Sequence, residues 1–176
     1  MFLNEINQRD CIIAGSDGLP DDYPVILPYE NLLFYIQRNQ NHNTVVYELN
    51  KTANNQINLS DPIKIKWVRF DDQGNQEFQA LNYIQSKLAY GYEFEIISPD
   101  LISFNFVSYP KMCLYLAKNS NGKYSVSTYV NNIHFKVNHI YIYAEDMGVF
   151  PIVKFAEFYM SDIRTNLSQY TKLILG

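Results

Sequence analysis

The residues able to do chemistry are few and scattered. There are three histidines, His42, His134 and His139, and two cysteines, Cys11 and Cys113. No His-x-His or Cys-x-x-Cys pair occurs, so the spacing that holds zinc is missing. His134 and His139 lie five apart in a strand-like run, which puts them on opposite faces unless a bulge intervenes. Cys113 sits in Met-Cys-Leu-Tyr-Leu and reads as a buried structural thiol; both cysteines are expected to be reduced. Asp17, Asp21 and Asp22 lack the calcium-loop spacing and its closing glutamate, so they read as a solvated acidic loop. No Gly-x-Ser-x-Gly elbow and no glycine-rich phosphate loop is present. The paired acids Asp71-Asp72 and Glu145-Asp146 fall in turns, where adjacent carboxylates are normally solvated.

What remains is positive charge on apolar strands. Arg38 closes the run LLFYIQR and Arg69 stands near the end of IKIKWVRF. A guanidinium presents five donors and matches carboxylate or phosphate as a fork. The sharp reading is an anion site at one rim of a sheet. Arg38 and Arg69 would frame it, Tyr35 or Tyr47 would lie below, and Lys87 would stand at its edge. The plain reading is that both arginines are strand ends reaching water. No cofactor or metal is implied.

The element that must position these groups is the stretch 31–50, NLLFYIQRNQNHNTVVYELN. Two apolar runs joined by a polar loop read as a β-hairpin. Pairing Arg38 with Thr44 sets Tyr35 against Tyr47 and Leu33 against Leu49, so these share a face. The opposite face carries Phe34, Ile36 and Val46, with Arg38 and Glu48 among them. Arg38 and Glu48 are too far apart along the ladder to pair. Both faces are largely apolar, whereas a surface hairpin shows one wet face. A helix, a long loop or a partner must cover the second face.

Residues 1–30 read as an irregular N-terminal segment rich in turn residues. Ile63 to Phe70 begins as a clean alternation with Ile63, Ile65 and Trp67 on one side. Apolar residues at helical spacing predict an amphipathic helix near 77–89, stopped by Gly91, packing Leu81 and Ile84 on the sheet. Strands follow at 92–96, 102–106, 112–117, 124–130, 133–142 and 152–160. Asn131-Asn132 is a two-residue hairpin loop. Ile133, Phe135 and Val137 differ in parity from Ile140 and Ile142, which predicts a β-bulge near Asn138-His139. Residues 167–175 read as a last strand.

The expected fold is all-β with one helix: an antiparallel, meander-rich sandwich or small closed barrel of about nine to ten strands. The 176 residues suit a single domain spanning 1–176. Hydrophobic residues make up 47%, aromatics 15% and charged residues 18%, and the net charge is −4. The absence of a basic cluster argues against nucleic acid as a partner, and no apolar run is long enough for a membrane-spanning helix. The N-terminus lacks a signal-peptide pattern, so the chain as written is expected in the cytoplasm, or outside it if a leader was omitted.

The segments LLFYIQRNQNHNTVVYELN, DPIKIKWVRF and LNYIQSKLAYGYEFE together resemble a family of bacterial domains of unknown function. The resemblance covers Leu32 to Tyr143 and, more weakly, the tail. It implies no activity, substrate or catalytic residue. Two function classes follow from the residues themselves. The favoured one is a non-catalytic binding or interaction module taking a small anion or a protein partner. The alternative is a hydrolase whose residues meet only in space. A deep pocket with convergent polar groups would favour the hydrolase, and a flat, tyrosine-rich patch the binding module.

Overall fold

The computed structural model describes residues 11–12, 26–39, 44–73, 75–146 and 151–174. Asp17, Asp21, Asp22, His42 and the Cys11 side chain lie outside the described residues. The strands are β1 (Cys11–Ile12), β2 (Leu32–Arg38), β3 (Thr44–Leu49), β4 (Ile63–Phe70), β5 (Gln76–Ala80) and β6 (Tyr92–Ser98). They continue with β7 (Leu101–Phe106), β8 (Tyr109–Lys118), β9 (Tyr124–Val130), β10 (Ile133–Asp146), β11 (Pro151–Asp162) and β12 (Ser168–Ile174). The all-β expectation holds, and the 167–175 run is a strand. Cys11–Ile12, expected in irregular chain, instead pairs with β12.

The sheet runs β5-β4-β3-β2-β10-β9-β8-β7-β6 and curls strongly into a half-barrel. All its neighbours are antiparallel except β2 and β10, which run parallel with Tyr35 opposite His139 and Ile36 opposite Ile140. Strand β10 is the spine. Its Ile133–Lys136 stretch pairs with β9, its His139–Ile142 stretch with β2, and β11 runs along nearly its whole length. Two four-stranded wings, β2 to β5 and β6 to β9, therefore diverge from one strand. Where the parallel ladder ends, Asn39 takes over: its amide donates to the Ala144 carbonyl at 2.9 Å and accepts the Ala144 N–H at 2.9 Å.

The wings fold their inner faces together over one apolar core. Phe34 stacks on Tyr47 at 4.4 Å, and both meet Phe106 edge-on. Burying aromatic rings in these arrangements contributes beyond area alone, by about 0.5–1.5 kcal/mol per pair. Asn131 and Asn132 both take positive φ, 51° and 62°, in the two-residue turn from β9 to β10. The expected bulge is present: Val137 pairs with Met160 and His139 with Tyr159, leaving Asn138 extra.

Two expectations are corrected. The β2–β3 register is one residue off: Gln37 faces Thr44 and Phe34 faces Tyr47. Tyr35 and Tyr47 consequently lie on opposite faces. The helix expected over 77–89 is a strand in its first half. Asp71 Oδ1 accepts the Gln73 and Asn75 N–H groups, closing a turn that sends Gln76–Ala80 back along β4. Side-chain-to-backbone bonds of this kind stabilise turns. A helical turn follows only from residue 83, π-helical over Gln85–Tyr90. Asn82 and Gln85 bond reciprocally to each other's N–H, as in a capping box. Leu81 packs against the core, but Ile84 and Leu88 are exposed. The helix therefore does not cover the hairpin's second face. Ile26 packs there against Val46 and Val68, and Tyr29 donates to buried Glu48 at 2.7 Å. Glu48 also pairs with Lys66 at 2.8 Å. Among the described residues no helix is long and apolar enough to cross a membrane.

Candidate functional site

The five residues singled out from the sequence do not converge. Gln37 faces Thr44, and Thr44 faces Val68. Arg38 and Arg69, each one residue further on, share the inner-facing side at one ladder level. They stand two strand spacings apart, about 10 Å at about 4.8 Å per spacing. The Arg69 guanidinium lies over the Trp67 ring at 4.9 Å. Tyr35 is on the other face, stacked on His139 at 4.9 Å. Tyr47 is fully buried and donates its hydroxyl to the Tyr90 carbonyl at 2.7 Å. Lys87 is exposed on the π-helical turn and lines a separate cleft of about 720 Å³ with Asp61, Lys64 and Tyr92.

A larger cleft lies elsewhere, with a volume of about 1060 Å³. Four segments build it: the approach to β2, the 50–61 loop, the β6–β7 turn and the β8–β9 turn, with Lys136 of β10 at its wall. Local chemistry fixes each segment. The 50–61 loop folds back on itself, with the Thr52 N–H donating to the Gln56 carbonyl at 2.7 Å and Asn55 at φ 59°. In the β8–β9 turn, Asn119 Oδ1 accepts the Asn121 and Lys123 N–H groups at 3.0 and 2.9 Å, and Gly122 takes φ 77°. That φ favours glycine, which meets no steric penalty there. The Lys118 N–H donates to the Asp100 carbonyl at 3.0 Å, joining the two turns.

The cleft is basic on a chain of net charge −4. Lys51, Lys118, Lys123 and Lys136 line it against Glu30 and Asp100, four cations to two anions. Lys51 pairs with Glu30 at 3.0 Å, and Lys118 reaches Asp100 only at 3.9 Å while standing 5.9 Å over the Tyr124 ring. Lys123 and Lys136 have no carboxylate within ion-pair distance among the described residues. Burial, and then the charge of Asp100, push the Tyr124 hydroxyl up. Tyr124 is therefore neutral at physiological pH and acts as a hydrogen-bonding ring on the cleft wall. Two tyrosines and Leu59 complete an amphipathic lining rimmed by Asn31, Asn55 and Asn119.

A family model described as a domain of unknown function, DUF4833, matches residues 34–172. The chain belongs to that family. The matched span runs from β2 into β12 and contains all four cleft lysines. Comparison with curated proteins and with solved structures returns no match. Membership in DUF4833 thus assigns no activity, and the chemistry must be read from the side chains.

One catalytic-looking pair was invisible in the sequence. Ser127 Oγ lies 2.8 Å from His134 Nε2, within reach for a nucleophile and its base. The bulge at Asn138 puts His134 and His139 on the same outward face, four β11 positions apart, roughly 13 Å at about 3.3 Å per residue. His134 stacks on Tyr129 at 4.4 Å, and burial lowers its pKa. Ser127 is only 3% exposed, no carboxylate is bonded to this imidazole among the described residues, and neither residue lines a cavity. The pair reads as a structural hydrogen bond. Cys113 is a free thiol, and among the described residues no group of His, Cys, Asp and Glu could hold a metal ion.

Proposed function

We propose that this DUF4833 domain is a non-catalytic binding module that takes an extended, multiply charged anion in the lysine-framed cleft. The observation that carries the reading is the concentration of Lys51, Lys118, Lys123 and Lys136 in one cleft of about 1060 Å³ on an acidic chain. The type of cation selects the ligand. A guanidinium suits one compact carboxylate or phosphate held as a fork, whereas ammonium groups are point charges on flexible stems. Four lysines from three segments match charges spaced along a chain, and the asparagine rim and tyrosines suit a hydroxyl-rich backbone. An acidic oligosaccharide has both features. The arginine rim is the competing basic surface, so Arg69→Ala is the control. A thermal-shift screen of oligogalacturonate, tripolyphosphate and citrate tests the reading. Stabilisation by oligogalacturonate that is lost in Lys123→Glu/Lys136→Glu and kept in Arg69→Ala supports it. Stabilisation lost in Arg69→Ala and kept in the double variant moves the site to the arginine rim.

A further inference from the structure

A second cavity, of about 260 Å³, opens inside the half-barrel and is chemically the opposite of the lysine cleft. It exists because the sheet does not close. Strands β11 and β12 curl over from the spine strand β10, while the start of β8 comes from the far wing. Between them run no backbone hydrogen bonds, only side chains. Ile140, Ile142, Ala156, Phe158 and Leu173 form one wall, and Phe106, Tyr109 and Tyr90 stand opposite. Registry explains the wall: Ile140 faces Phe158, Ile142 faces Ala156, and Ala156 faces Leu173, so all five point inward together. No charged residue lines the cavity among the described residues, and the lining residues with hydroxyls are Ser108, Tyr90 and Tyr109. Thr171, one inward position from Leu173 on β12, is fully buried, and its hydroxyl has no hydrogen-bond partner.

We infer that this cavity is a binding site for a small, uncharged, ring-containing apolar molecule, independent of the anion cleft. Close-packed interiors leave few voids larger than a water molecule. An apolar cavity of about 150 Å³ stays dry and takes up benzene. This one is larger, is lined by aliphatic and aromatic carbon, and has a mouth through which a ligand can enter. Ala89 and Tyr90 of its lining belong to the π-helical turn, a distortion frequent at functional sites. The turn is held by Gly91, whose Cβ, if present, would overlap the Ser86 carbonyl oxygen.

The probe is N-phenyl-1-naphthylamine, which is uncharged at neutral pH and brightens in apolar surroundings. Wild type should bind it saturably with one site per chain. Ala156→Phe, which fills the cavity from its floor, and Val153→Phe, which fills it from a half-buried wall position, should each weaken binding at least tenfold. Lys123→Glu/Lys136→Glu should leave it unchanged, which separates this site from the anion cleft. Naphthalene titrated into methyl-labelled wild type should shift the methyl signals of Ile36, Ile140, Ile142 and Leu173 ahead of all others. That readout needs no variant to fold. Absence of saturable binding, binding undiminished in a folded filling variant, or methyl shifts centred elsewhere would each overturn the inference.

Discussion

Acidification should destabilise this domain through His139. Its ring is sandwiched between Tyr35 at 4.9 Å and Tyr159 at 4.2 Å, both nearly parallel to it. The residue is 9% exposed, and Nε2 is buried without a partner. Burial lowers the pKa from 6.5 to about 4. Tyr159 in turn touches Glu157 at 3.3 Å, and Glu157 pairs with Lys172 at 3.4 Å. The Glu157 carboxylate is thus engaged elsewhere. Between these two values the unfolded chain binds a proton that the folded one refuses, so stability falls as pH falls. The full shift is worth about 3 kcal/mol at 1.36 kcal/mol per unit, of which about 2 kcal/mol is lost between pH 7 and pH 5. Above about pH 7.5 the contribution is flat. His139→Phe keeps the stack and removes both the titration and the orphaned nitrogen. Urea unfolding of wild type and His139→Phe from pH 7.5 to pH 4 isolates the effect, because other acid-sensitive groups are common to both. The stability gap should move in the variant's favour by about 2 kcal/mol from pH 7 to pH 5. Parallel curves for the two proteins would refute the reasoning.

Other perturbations follow from the packing. Tyr47→Phe removes the only hydroxyl donating to the buried Tyr90 carbonyl among the described residues; chemical denaturation should show a loss of about 1–3 kcal/mol. Gly91→Ala places a methyl on the Ser86 carbonyl, a backbone atom that cannot swing away. It should cost about 1–3 kcal/mol, as overpacking does, and speed hydrogen exchange in the π-helical turn ahead of β3.

The strands and their turns were readable because local chemistry and pattern agreed. Asn131-Asn132 supplied two residues that tolerate positive φ, and the parity change from Val137 to Ile140 exposed the bulge. The β2–β3 register was not readable, because both faces of this hairpin are buried. When Leu33, Phe34, Val45 and Val46 are all apolar, a one-residue slip changes nothing in the alternation. The helix was misplaced because Phe78 and Leu81 fit a helical spacing as well as a strand and its exit. The better signal was Asn82-x-x-Gln85, a capping box that starts the helical turn at residue 83 and not at the expected 77. The lysine cleft left no local trace. Lys51, the Lys118–Lys123 pair and Lys136 lie on three separate segments, and they meet only because both wings hang from β10.

The central claim is that the lysine cleft is the binding surface. Titration calorimetry with oligogalacturonate at low ionic strength tests it most directly. Wild type should bind one oligomer per chain, and binding should weaken as salt rises, since exposed charges are screened over about 10 Å at 0.1 M. Lys123→Glu/Lys136→Glu, which turns the cleft's balance from two net positive charges to two net negative ones, should abolish the heat without lowering the unfolding midpoint. Wild-type heat that survives this reversal, or no heat in wild type at all, would contradict the account.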